Sequence, residues 1–296
     1  MKRMIPAHMR IIMALLGFVA LAGCAATKTN TMALLQQDSD IELKLYVLDC
    51  GTVQARDLSL FNPGVDKDVA MDMAVPCYVI KHPEKGILVW DAGLSDSLVS
   101  EEGGLEVYQG AFNLVVKNTM LSQLQEIGIE MDEVTYFAPS HLHFDHSGNA
   151  NYFSSSTLLM QQVEYDIAFS TEATKHSFDH KHYSKLQQAR HIGLQGDYDV
   201  FGDGSVVILS TPGHSPGHQS LYLKLQQTGP VILSGDLYHF EKNRKDYGIP
   251  VWNDKKMTVQ SFAKIDRIIE QTAAALWIQH DPEEEKTTRL SPEFYQ

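Results

Sequence analysis

The sequence predicts a mixed α/β fold built in layers, and three observations lead there. Nine short runs rich in β-branched and aromatic residues alternate with three stretches of helical periodicity. The 296 residues are 44% hydrophobic, enough to bury the core of one large domain or two modest ones. Four of the strand-like runs lead into a side chain able to bind a metal, and sites in α/β sheets favour loops at one common set of strand ends.

The chain opens with an address rather than with the fold. Residues 1–10 hold Lys2, Arg3 and Arg10 and no acid, and residues 11–22 carry no charge. A basic head before a short apolar run is the layout of an export signal, since a spanning helix takes about 20 apolar residues. A core helix or a short anchor is the alternative. Leu21-Ala22-Gly23-Cys24 resembles the lipobox of bacterial lipoprotein signal peptides. That resemblance implies a leader over 1–23, export, and attachment to a membrane through a lipid on Cys24. Ala25 and Ala26, with no Asp beside the Cys, point to the periplasmic face of the outer membrane. Loss of the leader removes three bases and no acid, so the net charge falls from −13 to −16. Residues 27–40 are polar without sustained periodicity, and 24–40 is expected to be the lipidated Cys and its tether. An arm packed on the domain is the other reading. One domain is expected over 41–296, with no repeat at a fixed period.

Within it, strands are expected at 43–48, 77–80, 87–90, 134–138, 157–160, 206–209, 220–225, 231–233 and 276–278. Helices are expected near 119–127, 162–169 and 258–275. The run 134–138 leads to His141, 206–209 to His214, 231–233 to Asp236 and 276–278 to His280, so four strand ends are expected to converge on one pocket. The charge balance narrows the partners. With 37 acids against 24 bases and a pI near 5.4, nucleic acid is excluded as the main partner, because phosphate binding takes clustered Lys and Arg. Three Cys exclude a disulfide-dense scaffold, and 13 His call for an explanation.

The explanation starts at His141-Leu142-His143-Phe144-Asp145-His146, an HxHxDH motif with four ligand-type side chains in six residues. Composition alone yields such a motif in roughly two chains of this kind per thousand. Alternation in an extended loop sends His141, His143 and Asp145 to one side and His146 elsewhere, which suits two metals rather than one. A single zinc takes three protein ligands plus water, whereas the motif with His214, Asp236 and His280 supplies seven. A solvated polar loop is the plain alternative.

These residues, with Thr211-Pro212-Gly213-His214-Ser215-Pro216-Gly217-His218, Gly235-Asp236 and Ile278-Gln279-His280, resemble the metallo-β-lactamase superfamily and, within it, the N-acyl homoserine lactonases. The narrower match lies in 140–149, in Gly196-Asp197-Tyr198-Asp199-Val200 and in 211–221, and the whole spans nearly all of 43–281. It implies a four-layer αβ/βα sandwich with two zinc ions in its cleft. His141, His143 and His214 would hold one, Asp145, His146 and His280 the other, and Asp236 would bridge them. Asp91, in Trp90-Asp91-Ala92-Gly93, matches an Asp that supports the ligands in the superfamily, or it caps the turn after a strand. One position departs from the family. Lactonases place a Tyr three residues after the bridging Asp to polarise the substrate carbonyl, and here His239 stands there with Tyr238 one residue earlier. Either Tyr238 or His239 donates that hydrogen bond, or the preferred substrate differs from the acyl homoserine lactones.

The implied reaction is hydrolysis of a lactone or ester by a metal-bridging hydroxide, because zinc lowers the pKa of bound water from about 15.7 to about 7. Tyr238 or His239 would stabilise the oxyanion, and Asp145 would pass a proton to the leaving alkoxide. Zinc is favoured over redox iron by His143, where flavodiiron relatives hold a carboxylate, while Fe, Mn and Co remain permitted. Other superfamily hydrolyses (ester, thioester, β-lactam, phosphodiester) and a non-catalytic binding lipoprotein are the alternatives. A β-lactamase fits less well because a bridging Asp is foreign to it. Gly213-His214-Ser215-Pro216-Gly217 also fits the GxSxG elbow of serine hydrolases, but the residue after that Ser must offer a backbone N–H and Pro216 has none.

The remaining candidates have plainer expectations. His176, His180 and His182 are read as part of a solvated lid rather than a ligand cluster, since spacings of four and two leave one helix face. His218 either supports a ligand or is a satisfied loop residue. His82 and His191 are expected in surface loops. Phe112, Met120 and Leu121 line an acyl pocket or belong to the core. Cys50 and Cys77 are favoured as buried free thiols, with a disulfide conceivable.

Overall fold

A computed structural model describes residues 31–37 and 40–296. The leader, Cys24 and the segment up to residue 30 lie outside the described residues. Among those described, no helix is long and apolar enough to cross a membrane.

Two sheets carry the fold. The first contains β1 (Lys44–Ala55), β2 (Met71–His82), β3 (Gly86–Trp90), β4 (Leu105–Val107), β5 (Phe112–Val115), β6 (Val134–Ala138), β7 (Thr157–Gln161) and β8 (His191–Leu194), in the order β4-β5-β1-β2-β3-β6-β7-β8. The second contains β9 (Tyr198–Asp199), β10 (Val206–Ser210), β11 (Gln219–Leu225), β12 (Gly229–Leu233) and β13 (Ala275–Trp277), in the order β13-β12-β11-β10-β9. Among the described residues eight α-helices are interspersed: α1 (Thr31–Leu35), α2 (Met120–Glu126), α3 (Phe144–Ser147), α4 (Gln162–Ala168), α5 (His180–Tyr183), α6 (Glu241–Lys245), α7 (Lys255–Thr272) and α8 (Pro282–Thr287).

The period-two alternation of strands shows how the layers stack. In β10, Val206 and Ile208 point into the core between the sheets, where they meet Leu45, Ile80 and Trp90 of the first sheet. Val207 and Leu209 point the other way, against Phe262, Ile265 and Ile268 of α7. That 262/265/268 spacing is the apolar stripe of an amphipathic helix, and the Asp254 carboxylate caps it by accepting from Met257 N–H. On the far side of the first sheet, Leu124 of α2, Ala168 of α4 and Tyr183 of α5 cover Val79, Val89 and Phe137. The arrangement is the αβ/βα sandwich. Both faces of the central strands are buried, which is why their sequences read as continuous apolar runs.

All nine expected strands and all three expected helices are present; β1 runs seven residues past its expected end and β2 starts six residues before its expected beginning, while the other ends shift by at most three. The short β4, β5, β8 and β9 carry no strong apolar run and sit at or near sheet margins. Two expectations change. Residues 31–37 do not stand off as a tether. Leu35 is buried against the α7 side of the second sheet, Thr31 donates to Asp197, and the Lys224 ammonium donates to the Gln37 carbonyl. The packed chain therefore begins ahead of residue 41. Nor are the two thiols free: Cys50 and Cys77 form a disulfide, with Cα atoms 5.9 Å apart. Antiparallel pairing sets Leu48 opposite Cys77, and a register break between Asp49 and Thr52 brings Cys50 beside it. Only the pairing of β1 with β2, not either run alone, reveals that geometry.

Candidate metal centre

Four strand ends converge as expected. The loop after β6 supplies His141 and His143, and α3 supplies Asp145 and His146. The loops after β10, β12 and β13 supply His214, Asp236 and His280. Two groups of ligand atoms result: His141, His143, His214 and Asp236 form one, and Asp145, His146 and His280 the other.

In the first group the inner nitrogens are His141 Nε2, His143 Nδ1 and His214 Nε2, lying 2.9, 2.9 and 3.1 Å from one another. In the second, His146 Nε2 and His280 Nε2 lie 3.2 Å apart. Asp145 approaches this pair at 3.9 and 3.7 Å. Asp236 joins the groups through its two oxygens. Oδ1 is 3.0 Å from both His146 and His280 Nε2, while Oδ2 is 3.3 Å from His214 Nε2 and 3.8 Å from His141 Nε2.

The outer nitrogens show what the inner ones offer. His143 Nε2 faces the His176 carbonyl at 3.1 Å, His280 Nδ1 the Ala74 carbonyl at 2.6 Å, and His146 Nδ1 the Asp91 carboxylate at 3.0 Å. Each partner can only accept, so the outer nitrogen carries the proton and the inner one presents a lone pair. Lone pairs converging around a buried carboxylate fit a cation, and their spacing is close to the ~3.3 Å edge of a tetrahedron with zinc–nitrogen bonds near 2.05 Å. The residues therefore fit a pair of zinc ions. Electrostatics act differently on the two groups. Burial, with the neighbouring imidazoles, holds His141 well below the usual histidine range, and burial also lowers His143 and His214. At His146 and His280 burial is outweighed by carboxylates, Asp236 first, and both are raised. Burial would raise Asp236, yet the histidines around it, His146 foremost, hold its carboxyl well below the usual range.

Supporting contacts fix the ligands. Asp91, at φ 61°, accepts hydrogen bonds from Ser140 N–H at 2.5 Å and from the Gln279 side-chain amide at 2.7 Å besides orienting His146. A non-glycine residue held at positive φ is a strained position kept by its surroundings. It therefore supports a ligand, as the resemblance implied. His218 proves to be a supporting residue too. Its Nδ1 donates to Thr211 O at 2.9 Å, and its Nε2 accepts from the backbone N–H of Asp236 at 2.9 Å. Gly235 permits this turn with φ 54°, and a Cβ there would stand 2.7 Å from His218 Nε2.

A family model for the metallo-beta-lactamase superfamily matches residues 71–251. This chain belongs to the metallo-β-lactamase superfamily. It is 30% identical over 258 residues to an N-acyl homoserine lactonase of Bacillus thuringiensis, an alignment covering 85% of this chain and 98% of that one. It is also 30% identical over 265 residues to the N-acyl homoserine lactonase AttM of Rhizobium radiobacter, covering 86% and 99%. Among solved structures, an N-acyl homoserine lactone hydrolase with its product N-hexanoyl-L-homoserine at the catalytic metal centre superposes with a TM-score of 0.74. That pair is 28% identical, with 86% of this chain and 99% of the other covered.

Above this superfamily centre lies a cleft of about 330 Å³, walled by Phe61, Met73, Phe112, Phe144 and Trp252 and floored by His143, His214 and His280 with Asp145 and Asp236. His239 lines it, with Nε2 3.3 Å from Asp236 Oδ2 and its ring 4.7 Å from that of Phe61. Tyr238 does not. Its ring is fully buried, stacked at 4.6 Å on Phe262 of α7, on the opposite side of the chain from the cleft. Of the two expected carbonyl-polarising residues only His239 therefore borders the cleft, and Tyr238 is not placed to reach a substrate there. Of the expected acyl-pocket residues Phe112 lines the cleft, Met120 lies in the core, and Leu121 is not part of the wall.

The other histidines and the serine elbow sort themselves by contacts. Lys175, His176 and Ser177 of the lid segment line the cleft, while His180 packs edge-on against Phe169 and Tyr183, and none joins a metal group among the described residues. His82 is buried rather than on the surface, accepting from Glu84 and Lys85 N–H and facing Asp203 at 2.9 Å. His191 begins β8 and stacks at 3.9 Å on Tyr165. Ser215 donates to Glu164 instead of facing a base, which removes the serine-hydrolase reading. Glu164 itself, buried behind the His214 loop, carries no motif or spacing in the sequence that marks it.

Proposed function

We propose that this chain is a dinuclear zinc lactonase that opens N-acyl homoserine lactones or related lactones to hydroxy acids. The observation that carries the reading is Asp236, which offers one oxygen to each ligand group at the floor of an apolar cleft. Two zinc ions held there supply a hydroxide nucleophile near neutral pH. The chain's own residues do the rest. His239, which lines the cleft with Nε2 3.3 Å from Asp236 Oδ2, would donate from that nitrogen to the oxyanion that forms on the ring carbonyl. Asp145, which borders both the cleft and the His146–His280 pair, holds the proton lost by the nucleophile and returns it to the alkoxide as the ring C–O bond breaks. Phe61, Phe112 and Trp252 give an acyl chain an apolar wall. The extent of the match to lactonases supports this over the other superfamily hydrolyses.

A second reading, hydrolysis of a different ester, thioester, β-lactam or phosphodiester, draws on one observation: an imidazole stands at the carbonyl-polarising position. Reaction with a panel of lactones in ¹⁸O-water, followed by mass spectrometry, separates them. Ring-opened acid carrying one ¹⁸O supports the lactonase, and turnover of only the thioester or β-lactam controls rejects it.

We also propose export and lipid anchoring at Cys24, on the periplasmic face of the outer membrane. The buried Cys50–Cys77 disulfide supports export, since such bonds persist in oxidising compartments. Fractionation of cells expressing wild type and Cys24→Ser tests it: a wild-type chain found in the cytosol contradicts the proposal.

A further inference from the structure

Glu164 sits in the first turn of α4 with no surface exposed to solvent. Its Oε1 accepts from the Ser215 hydroxyl at 2.7 Å and its Oε2 from the Gly217 backbone N–H at 2.7 Å. The backbone N–H of Leu142 bonds to the same carboxylate. Leu142 stands between His141 and His143, and Ser215 follows His214. Among the described residues no cation pairs with Glu164. A carboxylate buried with only neutral donors around it costs folding free energy, so its presence asks for a local purpose.

From this geometry we infer that Glu164 is a positioning residue for one half of the metal centre: it ties the His141–His143 loop to the His214 loop and so sets the spacing of those three ligands. The close approach is built in from both sides. A Cβ on Gly217 would lie 2.5 Å from Glu164 Cβ, so only glycine lets the loop press down on the helix. The other half of the centre has its own carboxylate, Asp91, which reaches His146. Each half is thus braced by one buried acid, and Glu164 does so through backbone and hydroxyl rather than by touching a ligand. Outer contacts of this kind commonly change metal affinity by about 10–100-fold.

The inference rests on the dinuclear reading of the site, yet its readout is metal content, so a chain that opened no lactone would leave it standing. Zinc-loaded wild type, Glu164→Met and Glu164→Gln are dialysed against a chelator at pH 8, and bound zinc and its release rate are measured. Ring ¹⁵N shifts of the labelled histidines then report which ligands have lost their metal. Wild type is expected to keep two zinc ions. Glu164→Met, of similar size but without an acceptor, is expected to release one at least tenfold faster, with shifts confined to His141, His143 and His214. Glu164→Gln keeps an acceptor and is expected to restore retention, which a packing role alone would not produce. Wild-type release from Glu164→Met, or equal loosening of both halves, overturns the inference. If Glu164→Met fails to fold, Ser215→Ala removes one of the three bonds. Faster release from the same half then supports the inference, and wild-type release overturns it.

Discussion

Asp91 Oδ2 lies 3.0 Å from His146 Nδ1, so the carboxylate holds the imidazole in the tautomer whose Nε2 lone pair faces Asp236. Removing that support leaves a ligand present but unaimed. Asp91→Ala is expected to weaken zinc binding at the Asp145–His146–His280 half by about 10–100-fold in chelator competition. Wild-type affinity in this variant would show that Asp91 merely shapes the turn.

His239 and Tyr238 are adjacent and face opposite ways. His239→Phe is expected to lower kcat by about 10²–10³-fold with little change in bound zinc, the cost of losing one oxyanion donor. His239→Tyr should retain part of the rate, and Tyr238→Phe should stay within about threefold of wild type because its ring packs on Phe262. Steady-state kinetics on an acyl homoserine lactone decide the matter: a larger loss in Tyr238→Phe than in His239→Phe contradicts the assignment.

The contrast between these two residues shows where sequence reading stops. HxHxDH is legible because its four ligands fall within six residues, and His214, Asp236 and His280 because each follows a strand. Which of Tyr238 and His239 enters the cleft depends on the rotation of an extended segment after Leu237, and a shift of one residue swaps the faces. Cys50 and Cys77 meet only because of a register break in β1. Glu164 reads as an ordinary polar residue of α4 until the His214 loop is folded onto it. Local spacing carries ligand identity, whereas bracing is made by contacts between residues distant in the chain.

The Cys50–Cys77 bond closes a separation of 27 residues. Loop-closure entropy assigns it about 3–4 kcal/mol at 25 °C. For a domain of this size that amounts to about 7 °C in Tm. The Cys50→Ala, Cys77→Ala chain is expected to melt lower by that amount in calorimetry, and an unchanged Tm would deny the bond a stabilising role.

Burial pushes the Glu164 carboxyl up from 4.5 to about 7, against the pull of Ser215, Gly217 and Leu142. A folded pKa above the unfolded one means that the folded chain binds this proton more tightly. The associated stability is full below about pH 4.5 and is lost as pH rises through about 7. At about 1.4 kcal/mol per pH unit, the loss approaches 3 kcal/mol. Urea unfolding of metal-free wild type and Glu164→Gln across pH 4.5–8 isolates it, since the histidines titrate alike in both. A stability difference that does not change with pH contradicts the assignment.

In the proposed reaction, lactone opening depends on two metals sharing Asp236. The direct measurement is a zinc titration of the purified, chelator-stripped chain while hydrolysis of an N-acyl homoserine lactone is followed by proton release. Turnover is predicted to be absent at the start, to level off at two zinc ions per chain, and to stay absent in Asp236→Ala. Turnover that survives chelation, or that reaches its plateau at one zinc ion, would contradict the account.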